Sequence, residues 1–84
     1  ETILRINLEA AHEVARQLSL RNLSGIIIVD FIDMESKEDQ ETLMRTLGEE
    51  LSRDPVKTIL VDMTRLGLVE ITRKKVRRPL HEFL

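Results

Sequence analysis

The stretch Ser24-Gly25-Ile26-Ile27-Ile28-Val29-Asp30 decides the fold of this chain. The Ser-Gly pair interrupts helical geometry, and the four β-branched residues after it are too few to form a helix. A continuous aliphatic run without alternation is typical of a strand covered on both faces, as in a parallel sheet. We therefore predict a buried strand that ends at Asp30.

Helices are predicted on both sides of this strand. Apolar residues recur at helical spacing from about Leu8 to about Arg21, and Asn7 is the expected N-cap. Ser36 is the expected N-cap of a second helix, which ends at Asp54-Pro55 because proline disfavours helical geometry in the residue before it. The apolar stripe of this helix consists of Leu43, Leu47 and Leu51.

Two further strands are predicted, at residues 58–61 and, after a break at Gly67, at residues 68–72. The order of elements is then α-β-α-β-β, with a long connection that crosses between the first two strands. This order predicts the fold class α/β, as a small layered domain with a short sheet.

The composition narrows the range of functions. Hydrophobic residues make up 42% of the 84 residues but aromatic residues only 2%, which argues against a stacking platform for unpaired bases. There is no cysteine, so disulfides and thiolate metal sites are excluded. The longest apolar run is Ile26–Val29, far short of a membrane span, so we expect no membrane partner and a cytoplasmic protein.

The net charge is −2, but acidic and basic residues are distributed unevenly along the chain. Nine acidic residues and three basic ones lie between Asp30 and Asp54, whereas basic residues predominate after Thr64. Arg65, Arg73 and Lys74 are candidates for contact with phosphate groups, and ordinary solvated surface is the alternative.

Asp30 is the candidate for chemistry. A carboxylate directly after four buried aliphatic residues is costly unless it is solvated, paired or bound to a cation. Mg²⁺ prefers oxygen ligands and commonly takes one or two carboxylates together with substrate phosphates. The alternative is an aspartate that caps a loop or faces water. Asp33 is expected to belong to the following loop, and His12 and His81 to be surface residues.

Three ordered blocks of sequence resemble a known family. They are Asn7-Leu8-Glu9-Ala10-Ala11 with Ala15-Arg16-Gln17-Leu18, then Arg21-Asn22-Leu23-Ser24-Gly25-Ile26-Ile27-Ile28-Val29-Asp30-Phe31-Ile32-Asp33-Met34, then Thr64-Arg65-Leu66-Gly67-Leu68-Val69-Glu70-Ile71-Thr72-Arg73. In this order and separation they resemble the RNase E/G family of endoribonucleases, and the context leans towards RNase G-like members.

The resemblance implies a Mg²⁺-dependent endoribonuclease that cleaves single-stranded RNA in RNA processing and decay. It implies that Asp30 is catalytic as a direct Mg²⁺ ligand, together with an Asp-x-Asn pair from an earlier strand. Lys57 falls where family members can place an arginine that recognises a 5′-terminal phosphate, and Arg65 and Arg73 are the other expected RNA contacts. A homo-oligomeric full-length protein is also expected.

The chain departs from the family because it contains no Asp-x-Asn sequence. We therefore expect residues 1–75 to be a fragment of a catalytic DNase I-like subdomain without activity of its own, and residues 76–84 to be a basic, flexible tail. Two other functions stay open. One is a non-catalytic α/β protein-interaction module, and the other is a receiver-like phosphoacceptor centred on Asp30, which would need an earlier acidic pair and a lysine partner.

Overall fold

A computed structural model of the chain describes residues 2–61, 63–64 and 67–75. It contains two helices and three strands in chain order: α1 Thr2–Leu20, β1 Gly25–Asp30, α2 Lys37–Ser52, β2 Thr58–Val61 and β3 Leu68–Arg73. The α-β-α-β-β order confirms the predicted small α/β domain. Residues 76–84, for which a flexible tail is predicted, lie outside the described residues.

The three strands form one sheet in the order β1-β3-β2. β3 is antiparallel to both neighbours, and its Arg73 lies opposite Gly25 of β1 and Thr58 of β2. β1 and β2 therefore run in the same direction, as the long crossover through α2 suggests, but β3 separates them. The expectation of a parallel sheet is wrong, because the short connection from β2 returns the chain between the two parallel strands.

The helices cover one face of the sheet. The core there is aliphatic and consists of Ala11, Leu18, Leu43, Leu47, Leu51, Val69 and Ile71, with Phe31 and Met34 at its border and Ile27, Val29 and Leu60 packed against it. Side chains alternate along a strand, so the intervening residues point to the other face. Exposed fractions are 69% for Ile26, 52% for Ile28 and 54% for Ile59. The prediction that β1 is covered on both faces is therefore wrong within the described residues.

Helix α1 begins at Thr2, not at Leu8, and Asn7 is not its N-cap. Asn7 is a buried residue inside the helix. Its Nδ2 donates to the carbonyl oxygen of Ile32 at 2.8 Å, and its Oδ1 accepts from the Ile32 backbone nitrogen at 2.9 Å. This side chain satisfies both backbone groups of a residue in the segment after β1, and so attaches that segment to α1.

The end of α1 is set by Asn22, which has a left-handed backbone conformation with φ of 50°. The Leu23 nitrogen donates to the Leu18 carbonyl at 3.0 Å, and the Asn22 nitrogen donates to the Ser19 carbonyl at 3.2 Å. This is the Schellman arrangement, which satisfies carbonyl groups at the end of a helix. The helix ends at Leu20, close to the predicted end at about Arg21. The residue that terminates it is Asn22, which lies before the Ser24-Gly25 pair.

The N-cap and the apolar stripe predicted for α2 both agree with the structure. Its N-cap is Ser36, as predicted, and the Ser36 Oγ accepts from the Asp39 nitrogen at 3.2 Å. The predicted stripe of Leu43, Leu47 and Leu51 is buried in the core. α2 ends at Ser52, two residues before the Asp54-Pro55 pair.

Candidate metal and RNA site

Asp30 is the last residue of β1 and lies opposite Leu68 of β3. By strand alternation its side chain shares the uncovered face of the sheet with Ile26 and Ile28. Asp30 is exposed, and within the described residues its carboxylate has no hydrogen bond or ion pair. Its Cα is held by the β1–β3 pairing, so the carboxylate is positioned by the sheet while its oxygens stay open to solvent.

A single carboxylate occupies only one position around Mg²⁺. Among residues 2–61, 63–64 and 67–75, no three His, Asp or Glu residues lie close enough together to hold a metal ion. Asp33 is exposed in the loop after β1, and its Oδ1 lies 3.6 Å from where a Cβ on Gly67 would stand. Within the described residues, Asp30 can therefore offer a metal ion only one carboxylate.

Lys57 lies just before β2 at the opposite end of the sheet from Asp30. Its carbonyl oxygen accepts from the Lys74 nitrogen at 3.1 Å, so the two exposed lysines are direct neighbours across two strands. Neither ammonium group has an ion pair with a described carboxylate. The five steps along β1 from Gly25 to Asp30, at about 3.3 Å each, put about 17 Å between the two ends of the sheet.

Arg73 has a structural role in this chain. Only 2% of its side chain is exposed, and only 5% of that of its partner Asp54. The Arg73 Nε donates to Asp54 Oδ2 at 2.7 Å, and Nη2 donates to Asp54 Oδ1 at 3.2 Å. Nη1 donates to Asn22 Oδ1 at 3.0 Å and to the Leu23 carbonyl at 2.7 Å. The guanidinium group thus joins the end of β3 to the segments that follow α1 and α2.

Arg73 closes β3, so this strand extends one residue beyond the predicted range of 68–72. RNA contact by Arg73 stays a prediction that its position does not support. Arg65 and His81 lie outside the described residues. The exposed His12 contacts Glu50 Oε1 through its Nδ1 and so links α1 to α2.

The pKa of Asp54 is lowered, first by the hydrogen bond from Arg73 and further by the backbone N–H of Val56, against the opposing effect of burial. A carboxyl whose folded pKa is depressed contributes stability that is complete above its unfolded pKa of 3.8. That contribution is lost as the pH falls through the lower folded pKa.

We expect acid denaturation of the chain to include this loss. In urea titrations between pH 6 and pH 2, Asp54→Asn should be less stable than the parent near pH 6 and should lose less stability below about pH 4. Glu41→Gln, at an exposed carboxylate on α2, is the control and should leave the pH profile unchanged. Parallel profiles for Asp54→Asn and the parent would contradict the assignment.

No helix among the described residues is long and apolar enough to cross a membrane.

Comparison with known proteins identifies the family. The Ribonuclease E/G family matches residues 1–76. The chain is 48% identical over 84 residues to a "Ribonuclease E/G-like protein" of Pyropia yezoensis, covering all of this chain and 16% of that protein. It is also 48% identical over 84 residues to Ribonuclease G of Haemophilus influenzae, covering all of this chain and 17% of that protein.

Ribonuclease E of a Nostoc species is 48% identical over 82 residues, which cover 98% of this chain and 12% of that protein. Relatives named for both branches thus match at the same identity, so identity does not separate ribonuclease E from ribonuclease G here. The chain spans about one sixth or less of the length of these relatives. With the family pattern matched over nearly its whole length, the chain belongs to the Ribonuclease E/G family.

Proposed function

We propose that the chain is part of a metal-dependent endoribonuclease that cleaves single-stranded RNA, and that Asp30 is one of the ligands of its Mg²⁺. The observation that carries the proposal is the exposed Asp30 carboxylate, which has no partner among the described residues and stands at the end of a paired strand. Relatives named ribonuclease, at 46–48% identity over the whole chain, support the same activity.

Asp30 suits this role because its backbone is fixed and its side chain is not engaged. The antiparallel pairing with β3 holds the Cα in place, so metal binding requires ordering of little more than the two side-chain torsions. When bound, Mg²⁺ would activate a water molecule for attack and stabilise the charge that develops on the scissile phosphate. The contribution of this chain is the oriented carboxylate.

Lys57 is proposed to contact an RNA phosphate, with Lys74 beside it across the strand pair. An ammonium group is a compact charge that attracts phosphate but lacks the bidentate fork of arginine. Arg65 stays part of the proposal, although it lies outside the described residues. Arg73 does not, because its guanidinium is already engaged with Asp54, Asn22 and Leu23.

The 84-residue chain on its own is proposed to bind Mg²⁺ weakly and to have no nuclease activity. One carboxylate gives Mg²⁺ little reason to release its water molecules. The other ligands, the DNase I-like context, the homo-oligomeric assembly and the cytoplasmic location are proposals for the full-length protein.

The test is cleavage of a single-stranded RNA oligonucleotide by the full-length protein carrying Asp30→Asn. We expect the cleavage rate to fall by about 100-fold or more, which corresponds to about 2.7 kcal/mol on the barrier. Asp33→Asn is the matched control, because it removes the same charge three residues away in the loop, and it should retain most of the activity. Cleavage by Asp30→Asn at the wild-type rate would overturn the assignment.

A non-catalytic interaction module is the second candidate, and the uncovered aliphatic residues of the sheet favour it. The same assay separates the two functions. A full-length wild-type protein that does not cleave RNA in the presence of Mg²⁺ would favour the interaction module.

A further inference from the structure

Glu70 is a second carboxylate on the face of the sheet that the two helices leave uncovered. Its neighbours along β3, Val69 and Ile71, are buried in the core, whereas Glu70 is part-buried and points to the opposite face. The residue directly opposite Glu70 on β1 is Ile28, which is exposed. Glu70 therefore lies on the same face of the sheet as Asp30, which also points away from the core.

The charge of Glu70 is not neutralised within the described part of the chain. Its carboxylate has no hydrogen bond or ion pair there. Its nearest neighbours on β1 are aliphatic, with Ile28 opposite and Ile26 one step along the same face. A part-buried carboxylate beside aliphatic side chains keeps only part of its hydration, and a nearby cation compensates that loss. Glu70 is therefore available to interact with a cation.

Glu70 and Asp30 are diagonal neighbours across the β1–β3 pair. Asp30 lies opposite Leu68, and Glu70 lies two residues further along β3. Diagonal neighbours in an antiparallel pair are about 7–8 Å apart. Mg²⁺ usually keeps several water molecules when it binds through one or two carboxylates, so an ion bound to Asp30 has water ligands within reach of Glu70. A divalent cation there would also remove the repulsion between the two carboxylates.

We infer that Glu70 is a positioning residue of the metal site, whose carboxylate accepts a hydrogen bond from a water ligand of the Mg²⁺ bound by Asp30. The inference rests on the proposed role of Asp30. The register between β1 and β3 fixes the two backbones relative to each other, so the two carboxylates approach the hydrated ion from a preset separation. Groups that hold a metal ligand in this way commonly change metal affinity or activity by about 10–100-fold.

Binding of Mn²⁺ to the full-length protein in the absence of RNA tests this role. Mn²⁺ takes the same carboxylate and water ligands as Mg²⁺, and its EPR signal reports the free ion. Glu70→Gln removes the charge with little change in shape, so the Kd for Mn²⁺ should rise by about 10-fold or more. Glu41→Gln, the same replacement at an exposed position on α2, is the matched control and should leave the Kd unchanged. An unchanged Kd in Glu70→Gln would overturn the inference.

The Tm without metal and a conservative variant distinguish positioning from a merely structural role. Both Glu→Gln variants should keep the Tm of the parent within about 2 °C. Glu70→Asp keeps the negative charge, so it should recover part of the Mn²⁺ affinity that Glu70→Gln loses. A variant Glu70→Asp that binds Mn²⁺ no better than Glu70→Gln would overturn the inference, and so would a lower Tm of Glu70→Gln without a change in Kd.

The double variant separates failure of this inference from failure of the proposed function. In the Asp30→Asn protein, adding Glu70→Gln should change the Kd by less than about 2-fold, because the ion that couples the two residues is no longer held. A further loss of about 10-fold in the double variant would show that Glu70 acts on a different ion and would overturn the inference. If Asp30→Asn alone bound Mn²⁺ as tightly as the parent, the ligand role of Asp30 would be wrong, and the role of Glu70 with it.

Discussion

Replacing Arg73 by methionine is expected to destabilise the chain by about 3–5 kcal/mol, because it leaves the buried Asp54 carboxylate without its charged partner and with only the Val56 backbone N–H as a donor. The side chain of Asp54 is almost inaccessible, so water cannot replace the two hydrogen bonds that Arg73 donates to it. The Leu23 carbonyl and the Asn22 Oδ1 lose their donor at the same time. The free energy of unfolding, obtained from urea titrations followed by circular dichroism, is the measurement.

Arg53→Met is the matched control for this prediction. Arg53 also pairs with a carboxylate, that of Glu50 at 3.1 Å, but 79% of its side chain is exposed. Exposed ion pairs contribute about 0–1 kcal/mol, so the control should stay close to the parent. The double variant Arg73→Met with Asp54→Leu should regain part of the loss, since it no longer buries an unpaired charge. Equal losses for Arg73→Met and Arg53→Met would contradict the structural role of Arg73.

Replacing Asn7 by alanine is expected to cost about 3 kcal/mol, although the change improves helix propensity. Both backbone groups of Ile32 lose their partner in a part-buried position. An unsatisfied buried donor or acceptor costs about 1–3 kcal/mol, and the intrinsic gain from alanine in a helix is at most about 0.7 kcal/mol. The loss of these hydrogen bonds should therefore outweigh the gain in helix propensity, and the free energy of unfolding should fall.

Gln17→Ala separates this effect from a general loss of an amide side chain on α1. Gln17 donates to Glu13 at 2.6 Å, and that contact is exposed. We expect this variant to differ from the parent by no more than about 0.5 kcal/mol in the same urea titrations. In addition, the Ile32 amide should lose its protection from hydrogen exchange in Asn7→Ala but not in Gln17→Ala. An Asn7→Ala variant as stable as Gln17→Ala would show that the Ile32 contacts contribute nothing.

Local sequence determined the elements of this protein and the position of its candidate ligand. The Ser36 cap, the leucine stripe of α2 and the short strand at residues 58–61 agree with the structure because they depend on residues within one or two turns of each other. The place of Asp30 at the end of β1 follows from the aliphatic run before it. The resemblance to the RNase E/G family was also apparent from three ordered blocks of sequence, and the family match over residues 1–76 confirms it.

Only the tertiary structure decided the order of the strands and the roles of Asn7 and Arg73. From the sequence, Asn7 is predicted to cap a helix and Arg73 to contact a phosphate group. Their partners are Ile32, 25 residues away, and Asn22, 51 residues away, which no periodicity within a window can indicate. The insertion of β3 between β1 and β2 likewise depends on long-range pairing. An isolated polar side chain is costly to bury, so its role is set by whichever distant group satisfies it after the chain has folded.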